Sequence, residues 1–371
     1  MTRAARIGLY VADQHWRHTL SKGIYSYSRT LAHELVARAR RPPVLIVNRA
    51  NRADMRGGGA EAEEVVLPAA SATGLLRLVA DQIAAPLLGM TRKLDLLHFP
   101  KGFVPAWGGA VRVSATVHDL IPLHYAERHP GYFSISKLGY LRWSVLNTLR
   151  QARGVMTDSQ FSADAILALA RSAGRRPPPV EVVYPVADPG LVDGEVRLPA
   201  DATRLLHLGS VLPHKRTRET IAAFRAWNAG RRGAFRLAVT GLSALPASWG
   251  VGDGPDIELV GTVDVRGLRE LLAGSRALLL LSSIEGFGLP AIEAWSLGTP
   301  VCFLRTGSLP EVLAGLPGGC DGEADFGAAL DEVLSLRPEE RSALQARVRG
   351  RFDREAFGRT AVDLLERWAE G

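Results

Sequence analysis

The sequence predicts an α/β protein built from two doubly wound, Rossmann-like domains that face a central cleft. Three observations predict this fold class. The chain has 371 residues, which is enough for about two domains that each bury a core. Strand-like apolar runs alternate with helical segments, a pattern typical of parallel sheets. The alternation stops at an acidic stretch with prolines and glycines, residues 188–203, and then begins again.

The first predicted domain spans residues 1–187. Its predicted strands are Arg6–Ala12, Val44–Val47, Leu94–Phe99, Val111–Val117, Val155–Thr157 and Val180–Val183. Its predicted helices are Ile24–Arg40, Lys137–Arg150 and Gln160–Arg171, and Asp158 and Ser159 are expected to cap the last of them. Asn51–Glu64 is rich in Gly, Ala and charged residues, so we expect a loop there.

The second predicted domain spans residues 204–350 and follows the linker 188–203. Its predicted strands are Leu205–Gly209, Phe235–Thr240, Ile257–Val260 and Ala277–Leu281. Its predicted helices are Thr217–Asn228, Val265–Ala273, Phe326–Leu336 and Pro338–Arg349. Residues 351–371 follow this domain and contain one further predicted helix, Arg354–Trp368.

Composition indicates a cytoplasmic protein. No run of eighteen apolar residues is present, so no spanning helix is expected. The N-terminus enters a strand directly and lacks the features of a signal peptide. Two cysteines, Cys302 and Cys320, are too few for a disulfide framework and are expected to stay reduced.

Charge is uneven along the chain. Residues 1–185 hold 24 Lys and Arg against 13 Asp and Glu, a net charge of +11, whereas residues 186–371 hold 21 against 25, a net charge of −4. A basic first half can attract an anionic membrane surface, although arginine-rich composition can also reflect codon usage. No nucleic-acid-binding motif is present, so no nucleic-acid partner is expected.

The most informative segment is Ser282–Ala294, SSIEGFGLPAIEA. It follows a buried strand and contains a glycine-bearing turn, and Pro290 suits the first turn of a helix. The amides of Gly286, Phe287 and Gly288 are therefore expected at a helix N-terminus, which favours phosphate. Two carboxylates, Glu285 and Glu293, flank this turn and can accept hydrogen bonds from sugar hydroxyls. The segment thus suits a nucleotide-sugar.

Glu285 and Glu293, separated by seven residues within EGFGLPAIEA, resemble the E-x7-E motif of retaining GT-B glycosyltransferases of family four, the group 1 glycosyltransferases. The alternative is an ordinary strand–turn–helix whose glycines only permit the turn. The resemblance implies that Glu285 holds hydroxyls of the transferred sugar and that Glu293 binds the ribose. It also implies that the segment Gly286–Leu289, with Leu289 at its end, contacts the donor, and that the last helix returns to the first domain.

Further segments extend the resemblance. Gly209 and Ser210 open a loop that ends at Lys215, similar to the family's G-x5-K segment, and a lysine there can meet the donor diphosphate. Many relatives carry arginine where Ser210 stands. His118 in VHDLIP resembles a segment frequent in mannosyltransferases, which implies that it touches the transferred sugar; Asp119 either orients the imidazole or holds the loop.

Weaker matches complete the predicted site. Gly23 stands where the family often has a glycine-rich loop, and it either approaches the donor or only opens the helix. The preceding segment, Asp13–Lys22, is a candidate part of an acceptor pocket. Gly261, Val263 and Leu268 lie where relatives contact the nucleotide base. No Asp-x-Asp, HExxH or Cys/His cluster is present, so no metal and no cofactor beyond the nucleotide-sugar are expected.

The resemblance implies a retaining, metal-independent hexosyltransferase that acts in polysaccharide or glycoconjugate biosynthesis. Its catalytic candidates are His118, Lys215 and Glu285. The HDLIP segment favours GDP-mannose as the donor, with UDP-sugars as the alternative. The acceptor is a saccharide or a lipid-linked saccharide, and peripheral association with the inner face of an anionic membrane is consistent with the basic first half. Two alternatives remain open at this point: a sugar-nucleotide epimerase of the same fold, and a non-catalytic sugar-nucleotide-binding protein.

Overall fold

A computed structural model describes residues 3–15, 22–57, 61–68, 74–107, 111–194, 203–252 and 254–371. The chain divides into two compact units. The first unit comprises residues 1–186 together with 354–371, and the second comprises residues 187–353. The chain therefore leaves the first unit after its last strand and re-enters it with its final helix.

The first unit contains, within the described ranges, a seven-stranded parallel sheet in the order β3-β2-β1-β4-β5-β6-β7. Its strands are β1 (Ile7–Tyr10), β2 (Val44–Asn48), β3 (Glu63–Leu67), β4 (Leu96–Phe99), β5 (Arg112–Thr116), β6 (Ala152–Thr157) and β7 (Val180–Val182). The strand order reverses beside β1, which is the kind of place where doubly wound sheets bind ligands.

Helices connect these strands. They are α1 (Lys22–Arg38), α2 (Arg52–Arg56), α3 (Gly74–Val79), α4 (Ala85–Thr91), α5 (Ile121–Arg128), α6 (Ile135–Gln151), α7 (Gln160–Ser172) and the returning α15 (Arg354–Glu370). A π-helical turn, Ala80–Ala84, joins α3 to α4 without a break.

Helix α15 completes the core of the first unit. Phe357, Leu365 and Trp368 lie in the same buried cluster as Leu31 of α1. Trp368 packs so closely over strand β6 that a side chain at Gly154 would overlap its indole ring. Ionic contacts reinforce this packing, because Arg354 of α15 pairs with the buried Glu34 of α1 at 2.6 Å.

The second unit contains, among its described residues, a six-stranded parallel sheet in the order β10-β9-β8-β11-β12-β13. Its strands are β8 (Arg204–Leu208), β9 (Arg236–Thr240), β10 (Ile257–Gly261), β11 (Ala277–Leu280), β12 (Val301–Leu304) and β13 (Gly319–Cys320). Its α-helices are α8 (Pro189–Val192), α9 (Thr217–Ala229), α10 (Val265–Ala273), α11 (Leu289–Ser296), α12 (Leu309–Val312), α13 (Glu323–Leu334) and α14 (Pro338–Arg351).

Two stretches differ from the sequence-based expectation. Asn51–Glu64, predicted as a loop, contains helix α2 and the start of strand β3, because β3 pairs with β2 at the sheet edge and Met55 of α2 is fully buried. Within the predicted linker 188–203, Asp188 caps helix α8 through a hydrogen bond from the Gly190 amide, 2.9 Å long. Residues 195–202 of this linker lie outside the described residues.

Over the described ranges, no helix is both long and apolar enough to cross a membrane.

Candidate functional site

The turn between β11 and α11 has the backbone geometry of a helix N-terminal site. Gly288 adopts a left-handed conformation, φ +91°, immediately before α11. This conformation favours glycine, and a side chain at Gly288 would also overlap Leu309. Pro290 occupies the first turn of α11, and no side chain caps the helix. The positive end of the helix dipole therefore lies at the residues predicted to contact phosphate.

A neighbouring loop, Thr306–Ser308, fixes the backbone of this turn. The Thr306 hydroxyl donates to the Ser282 carbonyl at 2.7 Å. The Ser308 amide and hydroxyl both donate to the Glu285 carbonyl, at 3.1 and 3.0 Å. Gly307, at φ +59°, allows the close approach, because a side chain there would lie 2.7 Å from the Glu285 backbone. The position of Glu285 is thus set by the chain on both sides.

Glu285 and Lys215, two predicted catalytic residues, contact each other directly. The Lys215 ammonium donates to Glu285 Oε1 at 2.7 Å, and the Glu285 side chain is 9% exposed. Burial alone would raise the pKa of the Glu285 carboxyl, but the charge and hydrogen bond of Lys215 outweigh burial and hold this pKa below its ordinary value. The site therefore contains a charged, partly enclosed acid–base pair.

The loop that carries Lys215 is built around Thr217. The Thr217 hydroxyl accepts from the Ser210 amide at 3.0 Å and donates to the Ser210 carbonyl at 2.9 Å. Ser210 Oγ in turn accepts from the Leu212 amide at 3.1 Å. Gly209 lies so close to β9 that a side chain would fall 2.6 Å from Val239. Ser210 therefore shapes the loop with both its backbone and its side chain.

A buried histidine, His207, ties this loop to the central strands of the second sheet. Its Nδ1 lies 3.0 Å from the Leu279 carbonyl and its Nε2 lies 3.1 Å from the Thr217 hydroxyl. Burial lowers the pKa of His207 to about 4, so the ring is neutral near pH 7. A carbonyl only accepts, so the neutral ring carries its proton on Nδ1 and donates it to Leu279.

Glu293, the second acid of the E-x7-E motif, has a different environment from Glu285. It is half-buried on α11, and its carboxylate accepts a hydrogen bond from the Asp188 amide. Burial, and then the negative charge of Asp188, raise the pKa of Glu293 to about 7. The sequence did not indicate Asp188 as a site residue, because it stands in the predicted linker. Helix α8 brings it to α11.

The remaining predicted donor contacts also lie in the second unit. Gly261, at φ +72°, ends β10, and its carbonyl accepts from the Gly241 amide at 2.7 Å. Val263 directly precedes Asp264, which caps α10, and Leu268 is half-buried on α10. Gly261 ends its strand, and Gly209 and Glu285 follow theirs, so all three lie at the carboxyl edge of the same parallel sheet.

Phe287 and Leu289 complete the predicted turn. The Phe287 side chain is buried, and its ring packs edge-on against Phe352 with ring centroids 5.5 Å apart. The Phe287 side chain is therefore part of the core. Only the backbone of Phe287 belongs to the turn, together with Gly286. Leu289 is the first residue of α11 and is half-buried.

His118 lies in the first unit, beyond the carboxyl end of β5. Its Nδ1 lies 2.7 Å from Asp158 Oδ2 and its Nε2 lies 2.8 Å from the Pro100 carbonyl. Both partners are acceptors, so both ring nitrogens donate and the ring is an imidazolium. Burial opposes this charge, but the charge and hydrogen bond of Asp158 outweigh burial and raise the pKa of His118. A sugar that bonds to Nε2 must replace the Pro100 carbonyl.

Asp158 is a residue of this site that sequence reasoning assigned to another role. The prediction treated Asp158 and Ser159 together as the cap of α7. Ser159 alone caps α7, through a bond from the Ser162 amide, while Asp158 pairs with His118, forty residues away in sequence. Asp119 accepts from the Ile121 amide at 2.9 Å, so it holds the loop, which is one of its two predicted roles.

Gly23 stands in the first turn of α1 in the first unit. Residues 16–21 of the preceding segment, predicted to contribute to an acceptor pocket, lie outside the described residues. Across the described ranges, no group of three or more His, Cys, Asp or Glu side chains is arranged to hold a metal ion.

The comparisons with known proteins concern the class of protein. Residues 202–335 match the family described as glycosyl transferases group 1. The O-antigen chain mannosyltransferase B of Escherichia coli is 27% identical over 237 residues, which cover 59% of this chain and 59% of that protein. The aligned stretch thus spans less than two thirds of that relative's length.

Solved structures match nearly the whole chain. Sucrose-phosphate synthase from Thermosynechococcus elongatus superposes with a TM-score of 0.70 at 18% identity, over 97% of this chain and 98% of that chain. The Anabaena protein HepE, solved in complex with UDP and glucose, gives a TM-score of 0.68 at 16% identity, over 97% and 99% of the two chains.

The fold is therefore GT-B, with one doubly wound parallel sheet in each unit. Residues 202–335 match the group 1 glycosyltransferase family. Both statements confirm what the E-x7-E segment and the alternating strands and helices indicated, and the mannosyltransferase relative agrees with the HDLIP resemblance.

Proposed function

We propose that this protein is a retaining glycosyltransferase that moves a hexose, preferentially mannose, from a nucleoside-diphosphate sugar to an acceptor hydroxyl in glycan biosynthesis. The observation that carries this proposal is the Lys215–Glu285 pair beside the N-terminal turn of α11. This arrangement puts a lysine ammonium, the positive end of a helix and a charged carboxylate into one place. A sugar diphosphate needs all three.

Lys215 and the N-terminus of α11 supply positive charge for the departing diphosphate. The lysine is a compact charge, and the helix end adds about half a charge with its backbone donors. Because these groups are held in position before the donor binds, they stabilise the developing phosphate charge without reorganisation. Because this positive charge can balance the diphosphate, we expect transfer to need no metal ion and no further cofactor. We therefore expect full activity in EDTA.

Glu285 and Glu293 divide the recognition of the donor. Glu285 stays ionised beside Lys215 and accepts hydrogen bonds from hydroxyls of the transferred sugar. Glu293 binds the ribose hydroxyls. Its pKa of about 7 means that the acid is partly protonated near neutrality, so its carboxyl both accepts and donates hydrogen bonds there.

The reaction proceeds at one face of the sugar. The bond between the anomeric carbon and the phosphate oxygen breaks, the bond to the acceptor oxygen forms on the same face, and the departing phosphate oxygen takes the acceptor proton. Glu285 is not a covalent nucleophile in this scheme, because its carboxylate is engaged by Lys215. His118 contacts the transferred sugar from the first unit, with Asp158 keeping its ring cationic.

The donor is GDP-mannose in preference to a UDP-sugar. The HDLIP segment and the mannosyltransferase relative support mannose, whereas the bound UDP and glucose in the HepE structure support the alternative. A thermal-shift panel of GDP, UDP, GDP-mannose and UDP-glucose decides between them, since a ligand of the folded state raises the unfolding temperature by mass action.

The matched variants for this panel are Lys215→Ala and, as a control, Lys93→Ala, which removes an exposed lysine of the first unit. We expect GDP-mannose to give the largest shift, Lys215→Ala to reduce it, and Lys93→Ala to leave it unchanged. Equal shifts for wild type and Lys215→Ala contradict the proposed donor site. Product analysis by proton NMR then decides the stereochemistry, because an inverted anomeric centre rules out the retaining scheme.

Association with an anionic membrane is the second part of the proposal. The first half of α6 has little protein around it: Ile135 is 90% exposed, and Tyr140 and Trp143 are exposed as well. Lys137 and Arg142 lie among them and are exposed. Exposed aromatic and aliphatic side chains mixed with cations are typical of helices that bind the membrane interface. A lipid-linked saccharide acceptor at the cytoplasmic face fits this surface.

A further inference from the structure

The amino edge of the second sheet carries a row of arginines, at the opposite end of the strands from Lys215 and Glu285. Arg204 is the first residue of β8 and pairs in register with Arg236, the first residue of β9. Arg276 directly precedes β11, and its amide donates to the Arg204 carbonyl at 2.7 Å. Neighbouring strands lie about 4.8 Å apart, and like charges in such opposed positions are unfavourable.

A further arginine reaches this edge from α14. The Arg276 guanidinium donates to the Leu334 carbonyl at 2.8 Å, and the Arg341 guanidinium donates to the Leu336 carbonyl at 3.3 Å. Both carbonyls belong to the end of α13 and the turn that follows it, so these two cations converge on one turn. Burial, and then the positive charge of Arg276, lower the pKa of Arg341. Arg204, Arg276 and Arg341 are therefore named the amino-edge group.

No acid balances the amino-edge group. Within the described ranges, its three members donate only to backbone carbonyls, that of Gly274 in the case of Arg204, and form no ion pair. Asp256 continues the row beyond Arg236, but two nitrogens of Arg225 already hold its carboxylate, at 2.9 and 3.1 Å. The positive charge of the group is thus left without a partner of opposite charge.

Two donor atoms of the amino-edge group are also unsatisfied. The Nε atoms of Arg204 and Arg341 are buried and have no hydrogen-bond partner among the described residues. Buried donors are bonded in the great majority of cases, so such exceptions need a physical reason. The three side chains as a whole are only half-buried, which leaves other parts of them accessible from solvent.

Capping of α13 explains part of this arrangement. Arginines beside a helix C-terminus bond its last carbonyls and offset the negative end of the helix dipole. That end carries only about half a charge, whereas the amino-edge group carries three positive charges. Capping explains neither the opposed position of Arg204 and Arg276 nor the two unsatisfied Nε atoms. An anion from solvent would compensate both.

We propose that the amino-edge group binds one phosphate group, either free phosphate or the phosphate of a small monoester. Guanidinium groups bind phosphate oxygens through two parallel hydrogen bonds, and Nε is one of the two donors used. A small rotation of each half-buried side chain presents Nε beside a terminal nitrogen. A dianion offsets most of the charge of the group, and its tetrahedral oxygens accept from several directions, whereas a carboxylate has one charge and two oxygens.

This site is separate from the proposed donor site. The amino-edge group lies at the amino ends of β8 and β11, whereas Lys215 and Glu285 follow the carboxyl ends of the same two strands. The inference therefore does not depend on the proposed glycosyl transfer. It adds to the second unit a place where a small phosphorylated compound or free phosphate can bind without occupying the donor site.

The test measures dissociation constants of orthophosphate for the full chain by isothermal titration calorimetry. Titrations are made at constant ionic strength and at pH 8, where phosphate is mainly a dianion. We expect wild type to bind orthophosphate, and Arg276→Gln and Arg341→Gln each to bind it about tenfold more weakly, because one charge-assisted contact is lost. The two variants change different elements, so a folding defect in one does not decide the result.

Arg347→Gln is the matched control. Arg347 is another arginine of α14 that donates to backbone carbonyls, those of Ala314 and Gly315, and we expect its removal to leave phosphate affinity unchanged. Lys215→Ala is the control for the donor site, and we expect it to keep the phosphate affinity of wild type while it loses GDP binding. Unfolding temperatures in chloride buffer show which variants are folded.

Glycerol 3-phosphate and succinate identify the ligand class. If glycerol 3-phosphate binds more tightly than orthophosphate and Arg276→Gln weakens it, the site takes a phosphate monoester; if orthophosphate alone binds, the site takes the free anion. Succinate binding as tight as that of phosphate overturns the proposal, as does the absence of phosphate binding in wild type. Equal phosphate affinity in wild type, Arg276→Gln and Arg341→Gln overturns it too, and a loss confined to Lys215→Ala assigns the phosphate to the donor site.

Discussion

The two units of this protein organise their polar residues differently. In the second unit, the candidate residues come from contiguous motifs at adjacent strand ends, and Lys215 touches Glu285 directly. In the first unit, polar pairs join residues far apart in sequence, such as His118 with Asp158 and Tyr10 with Asp81. The first unit also exposes an apolar helical surface. The pairs are long-range in both units, but Lys215 and Glu285 both stand in motifs that the sequence displays, whereas Asp158 and Asp81 of the first unit stand in none.

The largest effect expected concerns Lys215. Lys215→Ala removes the charge that we propose faces the donor diphosphate, and we expect transfer to fall about 10²- to 10³-fold. It also leaves Glu285 buried without its partner, which lowers the free energy of unfolding by about 3 kcal/mol. Turnover and urea unfolding measure the two effects.

The double variant Lys215→Ala/Glu285→Gln is the control for this pair. It leaves no unpaired buried charge, so we expect part of the stability to return while transfer stays low. If the double variant is as unstable as Lys215→Ala, the interpretation of Lys215 and Glu285 as an isolated buried salt bridge is wrong.

Glu293 gives the next effect, which is a pH dependence. The unfolded carboxyl ionises near pH 4.5 and the folded one near pH 7. Between these values the unfolded state has released a proton that the folded state keeps, so stability is highest at low pH and falls as the pH rises through 7. We expect Glu293→Gln to remove this part of the fall.

Urea unfolding of wild type and Glu293→Gln between pH 4.5 and 8 measures the difference. If the free energies of unfolding of the two proteins change in parallel with pH, then burial and Asp188 do not raise the pKa of Glu293. On the donor side, we expect Glu293→Gln to weaken GDP binding about tenfold, since one charged hydrogen-bond acceptor is lost.

The corresponding test in the first unit concerns Asp158. The pKa of His118 is raised in the folded state, so its ion pair with Asp158 stabilises the fold fully below the ordinary histidine pKa. This stability is lost as the pH rises through the pKa that His118 has in the folded protein. Asp158→Asn removes the main cause, so we expect the His118 titration to move to lower pH and transfer to fall several-fold. Histidine NMR titration measures the shift.

His98 is the internal reference for this titration. It is fully buried between Ser114 and Thr116, and burial, with the nearby His118, lowers its pKa to about 3. Its resonance is therefore expected to stay constant from pH 5 to 9 in both proteins. If His118 titrates at the same pH in Asp158→Asn as in wild type, the proposed effect of Asp158 on the pKa of His118 is wrong.

The smallest effect concerns the apolar surface on α6. Trp143→Ser removes an exposed ring, and we expect a several-fold weaker association with vesicles containing phosphatidylglycerol and little change in stability. Val265→Ser, an exposed apolar residue of the second unit, is the matched control and should not change vesicle binding. Equal binding of wild type to neutral and anionic vesicles, or no loss in Trp143→Ser, contradicts membrane docking by this surface.

Sequence patterns predicted ten of the thirteen strands that the structure describes, and the turn before α11. Buried parallel strands are short apolar runs, and glycine and proline mark the turn chemically, so both features are local. The apolar strand β12 and the two-residue strand β13 were not predicted. Other errors fell where local signals are weak. Strand β3 is charged and half-buried at a sheet edge, and α8 is only four residues long. Neither therefore shows a clear periodicity of apolar residues.

For the site, the sequence was informative about residue types and less so about partners. It indicated Lys215 and Glu285, but not that they contact each other. It treated Asp158 as part of a cap, because a Ser or Asp before a helix is usually a capping residue. It did not indicate Asp188, which lies beside Glu293 only because helix α8 packs against α11.

By itself, the sequence determined the α/β class, the helix N-terminal turn with its two flanking acids, and the glycines on which that turn depends, because these follow from local backbone preferences. The tertiary structure alone decided the charge states: which lysine neutralises Glu285 and which carboxylate charges His118. The physical reason is that desolvation and pairing depend on distances in space, and residues seventy positions apart, such as Lys215 and Glu285, meet only when the sheet forms.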